Sequence, residues 1–175
     1  MRLILNKILI LLFLGTVLHL VFIIYYPTYK MWELNRKRGG ETTVNKVFHA
    51  DKINSNSRDV IRPSPDLLYS GCSYDVTYSP LIITSEVLDS YWSISFYASN
   101  SDNFALLNDM DIQDKNIKIY LFGPNSKPIK ITDGYAIFSP SNKGAMLIRR
   151  FIGNEMNIDE LYLNQDTLTC SSLNN

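Results

Sequence analysis

Two histidines, two cysteines, two adjacent arginines and a loose run of acids are the side chains from which this 175-residue chain could build a reactive or binding site. His19 lies in an apolar run, where an imidazole is costly and serves as a haem ligand or proton relay, or else as a neutral ring bonded to a backbone carbonyl. No second His, Asp or Glu stands in that run to complete a site. His49, the other histidine, has no neighbouring metal-ligand set and reads as a surface residue. The chain has no G-x-S-x-G elbow, H-E-x-x-H, C-x-x-C or glycine-rich phosphate loop. No catalytic set, metal site or cofactor is therefore predicted.

The acids Asp102, Asp109, Asp111 and Asp114, with Asn103 and Asn108, supply oxygen ligands of the kind calcium takes. An EF-hand loop needs Gly at its sixth position and Glu at its twelfth, and counting from Asp109 reaches Asp114 and Tyr120. Solvated turns at the end of a sheet are the expected reading.

Arg149 and Arg150 alternate in direction on a predicted strand, and each has apolar neighbours. One of them is expected to be part-buried, with Asp66 or Asp75 as carboxylate partner, in a structural pair or in one that orients a ligand acid. Tyr91, Ser93, Ser95, Tyr97 and Ser99 form a polar face on which rings flanked by hydroxyls suit a sugar. Solvent or the preceding tether would cover it equally well. Asp66, Tyr69, Asp75, Trp92, Tyr97 and Arg149 are thus the candidate ligand-binding residues.

Elements must hold these groups. Trp92, Ile94, Phe96 and Ala98 alternate with the polar face just named and predict a half-buried strand. Further strands are predicted at Leu67–Val76, at Leu81–Ile83, around Ile117–Leu121, at Ile129 and Ile131, over Tyr135–Phe138 and over Ala145–Ile152. Gly123-Pro124-Asn125, Asp133-Gly134 and Asn142-Lys143-Gly144 fall between them as turns. Asn157–Gln165 is the one helical pattern, with Asn157 as cap and Asp159 and Glu160 in the first turn. The fold predicted is all-β, a β-sandwich-like antiparallel domain with an N-terminal transmembrane helix and a short C-terminal helix.

Ile8–Tyr26 has no charged side chain and the length a helix needs to cross a bilayer. Tyr25, Tyr26, Tyr29 and Trp32 follow as an aromatic belt, and Pro27 marks the expected helix exit. A cleaved signal peptide competes, but no small-x-small site follows the run. The organisation predicted is a signal anchor over 1–30, a polar tether over 31–64 and the sandwich over 65–175.

Residues 1–39 carry six basic residues against Glu33, and the rest of the chain eleven against sixteen acids. A basic front suits anionic lipid and an acidic body opposes nucleic acid, which is excluded as a partner. Lys30, Arg36, Lys37 and Arg38 outnumber Arg2 and Lys7, which by itself would retain the body in the cytoplasm. The closeness of Arg2 and Lys7 to the span and the cysteine pair outweigh that count. The location expected is the bacterial inner membrane, crossed once, with the C-terminal domain in the periplasm.

Cys72, on the apolar face of an early strand, and Cys170, after the last helix, are the only cysteines. A disulfide between them would pin the C-terminal tail to the sandwich; two unrelated thiols would be the cytoplasmic alternative.

Ser64-Pro65-Asp66-Leu67-Leu68-Tyr69-Ser70, Tyr74-Asp75, Pro80-Leu81, Tyr91-Trp92-Ser93-Ile94, Asp102-Asn103-Phe104 and Phe122-Gly123-Pro124 resemble, in order and spacing, domain of unknown function 1254. The match is to small proteobacterial membrane-anchored members, which share the opening helix, the turn at Asn142-Lys143-Gly144 and cysteines like Cys72 and Cys170. Larger relatives carry Asn-x-Asp-Thr-x-Tyr-Ser; here Ser64 and Leu67 replace the Asn and Thr. The resemblance implies an exported β-sandwich, a companion protein of domain of unknown function 1214, and no assigned activity. The function expected is a non-enzymatic envelope module that binds a partner, the alternative being a small-ligand or enzymatic domain with an Asp/Arg/aromatic pocket.

Overall fold

The computed structural model describes residues 2–37, 40–54, 56–57, 62–127, 129–153 and 158–173. Arg38, Gly39 and the expected cap Asn157 lie outside them.

The strand predicted from the alternation at Trp92 is β4 (Trp92–Ala98), and it lies next to the centre of a five-stranded sheet. The order is β1 (Val47–His49), β2 (Leu67–Asp75), β8 (Lys143–Phe151), β4, β5 (Asn103–Asn108), all antiparallel. The second sheet runs β7 (Tyr135–Phe138), β6 (Asn116–Phe122), β3 (Leu81–Glu86), β9 (Thr169–Ser172). Its β6–β7 pair is parallel. A parallel pair cannot close through a tight hairpin, and residues 123–134 make the crossover. Ile129 and Ile131 fall in that crossover and form no strand, a correction to the expected pattern.

Register places Leu68, Arg150 and Trp92 side by side on one face of the first sheet, then Ser70, Ile148 and Ile94, then Cys72, Met146 and Phe96. Against them the second sheet turns Leu81, Ile83, Ile117, Ile119, Leu121 and Ile137, which with Cys72, Trp92, Ile94, Phe96, Met146 and Ile148 form the core. Cys72 and Cys170 are bonded across it, with Cα atoms 6.6 Å apart. The bond joins β2 of one sheet to β9 of the other. This is the sandwich architecture, closed by a short helix α2 (Ile158–Asp166) that buries Leu161, Asn164 and Gln165 on one end.

The N-terminal helix α1 spans Arg2–Lys37, with a mean hydropathy of 2.7 over its most apolar window and none of that window buried. It does not stop at Pro27. Glu33 pairs with Lys30 and Lys37 one turn to either side, which supports a further two turns of helix. Those turns also rest on the domain: Met31 is buried and Ser73 Oγ hydrogen-bonds Asn35 Oδ1 at 2.8 Å. The contact is at the Asp75 end of β2.

Candidate functional site

The pleat distributes the expected ligand residues over two faces and two ends. Tyr69 and Arg149 are directly opposed on the outer face of the first sheet, and Arg149 Nη2 donates to Tyr97 Oη at 3.3 Å. These three come together. Trp92 points the other way, into the core, and is 3 % exposed. Asp75 is at the far end of β2, where Lys143 pairs with it at 3.2 Å and Thr77 N–H donates to it. Its carboxyl feels burial, which alone would raise its pKa, yet the Thr77 bonds and Lys143 hold it below the ordinary value. Asp66 lies exposed in the turn before β2.

Tyr69 acts locally, because its hydroxyl accepts the Ser64 N–H at 2.8 Å and so closes the turn that carries Asp66. The polar face of β4 is less wet than the alternation implied. Ser93 and Ser95 are buried, because Arg149, Leu147, Leu106 and Asn108 of the neighbouring strands stand beside them.

Of the two arginines, Arg150 is the buried one, and its partners are not carboxylates. Nε donates to Asn164 Oδ1 at 2.9 Å and Nη2 to Ser85 Oγ at 2.6 Å, while Nη1 has no hydrogen-bond partner among the described residues. The expected Asp66 or Asp75 pairing fails for a geometric reason. Asp75 is opposite Lys143 at the other end of the sheet, and Asp66 is in the exposed turn outside the core. Burial lowers the guanidinium pKa to about 10, so the group keeps its charge at neutral pH.

Beside it runs a second polar chain. Gln165 Nε2 donates to the Tyr69 carbonyl at 3.0 Å and to Ser70 Oγ at 2.9 Å, and His49 Nδ1 lies 3.0 Å from the same hydroxyl. His49 Nε2 stands 3.9 Å from Asp166. Serine, histidine and aspartate in sequence suggest a nucleophile relay, but Ser70 is wholly buried and bonded to Gln165. No substrate can reach it. The His49 pKa is depressed, chiefly by burial and further by the Arg150 charge, with Asp166 acting the other way. Sequence reasoning missed this network, since His49 carries no local signal and its partners are some twenty to more than a hundred residues away.

Three depressions open at the α2 end of the sandwich, of about 640, 540 and 290 Å³. Glu86 and Asn116 are common to the first two, and Asp89 and Lys115 to the second and third, so they make one continuous groove. Lys115 pairs with Asp89 and Lys118 with Asp133, each at 2.7 Å. Glu86, Asp109, Asp114 and Glu160 also line it, with no paired cation among the described residues. The oxygen-bearing residues predicted as turns thus divide: Asp109 and Asp114 line the groove, whereas Asn103 and Asn108 bound strand β5, and Asn108 Oδ1 caps the following turn by accepting the Met110 and Asp111 N–H groups.

The family described as "Protein of unknown function (DUF1254)" matches residues 44–172, well over half of the chain. The chain belongs to the DUF1254 family. The DUF1254 sandwich here is also similar to the VPA0106 protein of Vibrio parahaemolyticus, with a TM-score of 0.67 at 14 % identity over 87 % of this chain and 36 % of that one. An uncharacterized protein from Burkholderia cenocepacia matches with a TM-score of 0.50 at 12 % identity, over 66 % of this chain and 33 % of that one. These likenesses show the fold, and the chain spans about a third of the length of either solved structure. No curated protein matches it significantly. The apolar N-terminal helix, as anchor or signal, and the disulfide together suggest an extracytoplasmic DUF1254 domain.

Proposed function

We propose that this DUF1254 protein is a single-pass membrane protein of the bacterial inner membrane whose periplasmic sandwich binds a partner protein and does no chemistry of its own. The observation that carries the reading is the continuous acidic groove at the α2 end. α1 rests on the sandwich at the Asp75 end of β2, and the groove lies at the opposite end, beyond Glu86 of β3 and Trp92 of β4. An anchored domain with this arrangement holds its groove away from the bilayer. The unpaired carboxylates favour a partner surface rich in Lys and Arg, through electrostatic steering. A companion protein of domain of unknown function 1214 is the partner proposed.

The test is affinity purification of the full chain from detergent-solubilised membranes, with the recovered proteins identified by mass spectrometry. A stoichiometric companion of that family is expected with the native chain, and its loss with Glu86→Lys and Asp114→Lys together. Repeated recovery of the native chain alone, or of the same companion with the charge-reversed chain, would count against the reading.

A further inference from the structure

Arg150 is a charge without a counter-charge. Its side chain is enclosed between the two sheets and α2, the residue is 2 % exposed, and none of the described carboxylates lies within ion-pair distance of it. Two of its three nitrogens are used, by neutral acceptors, and none of the described residues offers Nη1 an acceptor. Desolvating a guanidinium and leaving one of its donors orphaned are each strongly unfavourable, and folded proteins retain such a group where a bound ion or an ordered water answers it. The sequence alternatives are cheap, since Leu68 and Trp92 flank the position and a Leu or Met there would pack with no charge at all.

We propose that the Arg150 guanidinium, through Nη1, holds a small monovalent anion, either a halide or a simple carboxylate. Access is by way of Asn164. Its Oδ1 accepts from Arg150 Nε, and the same residue lines the acidic groove, so it is the wall between the guanidinium and solvent. The carboxylates of Glu86 and Glu160 in that part of the groove, beside the Asp89–Lys115 pair, repel multivalent anions more strongly than monovalent ones. Size and charge therefore select the ligand together. Ser85 of β3 and Asn164 of α2 both hold the guanidinium, so an anion bound there would stabilise the closure of the sandwich end.

The experiment uses the full oxidised chain in detergent, with thermal unfolding followed in chloride, bromide, formate or acetate, and in gluconate, too bulky for an enclosed site, at equal ionic strength. A saturable rise of the midpoint by several degrees over gluconate is expected. A rise with the halides alone assigns the inorganic ion; a rise with formate and acetate alone assigns the carboxylate. Arg150→Gln should abolish the difference and Arg150→Lys restore part of it. Identical midpoints in all five anions, or the same difference in Arg150→Gln, would overturn the site. Should Arg150→Gln fail to fold, anomalous scattering from crystals of the native chain grown in bromide decides the halide, and difference density in formate the carboxylate. A peak within hydrogen-bonding reach of Nη1 is the expected result, and density in neither crystal the refuting one.

Discussion

Breaking the Cys72–Cys170 bond removes the covalent tie between the two sheets, and the size of the effect follows from chain statistics. The cysteines are 98 residues apart in sequence. A crosslink closing so long a loop lowers the entropy of the unfolded chain by an amount worth about 4.7 kcal/mol at room temperature. For a domain of this size each kcal/mol moves the midpoint by about 3 to 5 °C, so the reduced protein should melt about 14 to 24 °C lower. Both sulfurs are sheltered, Cys72 fully and Cys170 nearly so, and reduction must be done in the unfolded state before refolding. The assay is calorimetry or circular dichroism on oxidised protein, on reduced protein, and on the double variant Cys72→Ala, Cys170→Ala. The double variant should behave as the reduced chain does, with a further small cost for the two lost sulfur contacts. Oxidised and reduced midpoints within about 3 °C of each other would refute the reasoning, because the unfolded chain would then gain no freedom from losing the bond.

Gly71 admits no side chain: a Cβ there would sit 2.5 Å from the Phe48 ring and 2.6 Å from the Met146 carbonyl oxygen, so Gly71→Ala should cost about 2 to 3 kcal/mol in urea unfolding. Gln165→Ala leaves the Ser70 hydroxyl and the Tyr69 carbonyl short of a donor, and should cost about 1 to 3 kcal/mol by the same measurement. The depressed His49 pKa means that the unfolded chain binds a proton more readily than the native one. Its stabilising contribution is complete above the ordinary value of 6.5 and is lost as the pH falls through the lower native value. Melting temperature should fall on acidification below about 6.5, and His49→Gln should flatten that part of the profile. Asp75 acts in the same direction at lower pH, its contribution being lost as the pH falls through its lowered native pKa, and Lys143→Met should weaken that lower step.

What could be read from the chain was whatever a local period encodes. β4 sits in the middle of a sheet with one face in the core, so its apolar residues recur every second position, whereas β8 beside it shows as an unbroken apolar run over Ala145–Ile148. The C-terminal helix was legible for the same reason, with Ile158, Leu161 and Tyr162 at helical spacing. The edge strands were not. Val47–His49 and Thr169–Ser172 are only three and four residues long and take their conformation from β2 and β3 beside them, which no window along the chain can report. Asn103–Asn108 was hidden among acids, since an edge strand exposes much of both faces. Pro27 was misleading because helix α1 is held beyond it by ion pairs and by its rest against Ser73. For the candidate site, residue type pointed to one of the two arginines being part-buried without saying which, and the partners of Arg150 are set by the meeting of β8, β3 and α2. The orphaned Nη1 is a fact of three dimensions alone.

The position of β9 also bears on how the domain is made. β3 is flanked by β6, which follows it in the chain by some thirty residues, and by β9, the last strand of all. Were the domain passed across a membrane in chain order behind α1, the β3 edge would emerge early and stay open until residues 169–172 had passed. An open edge with Leu81 and Ile83 beside it is a template for wrong pairing. Cys72 waits over the same interval with its thiol free, able to react with any disulfide it meets. Maturation of the sandwich would then be gated by residues 169–172, with oxidation as the latch: the bond that closes the core could form only after Cys170 had arrived.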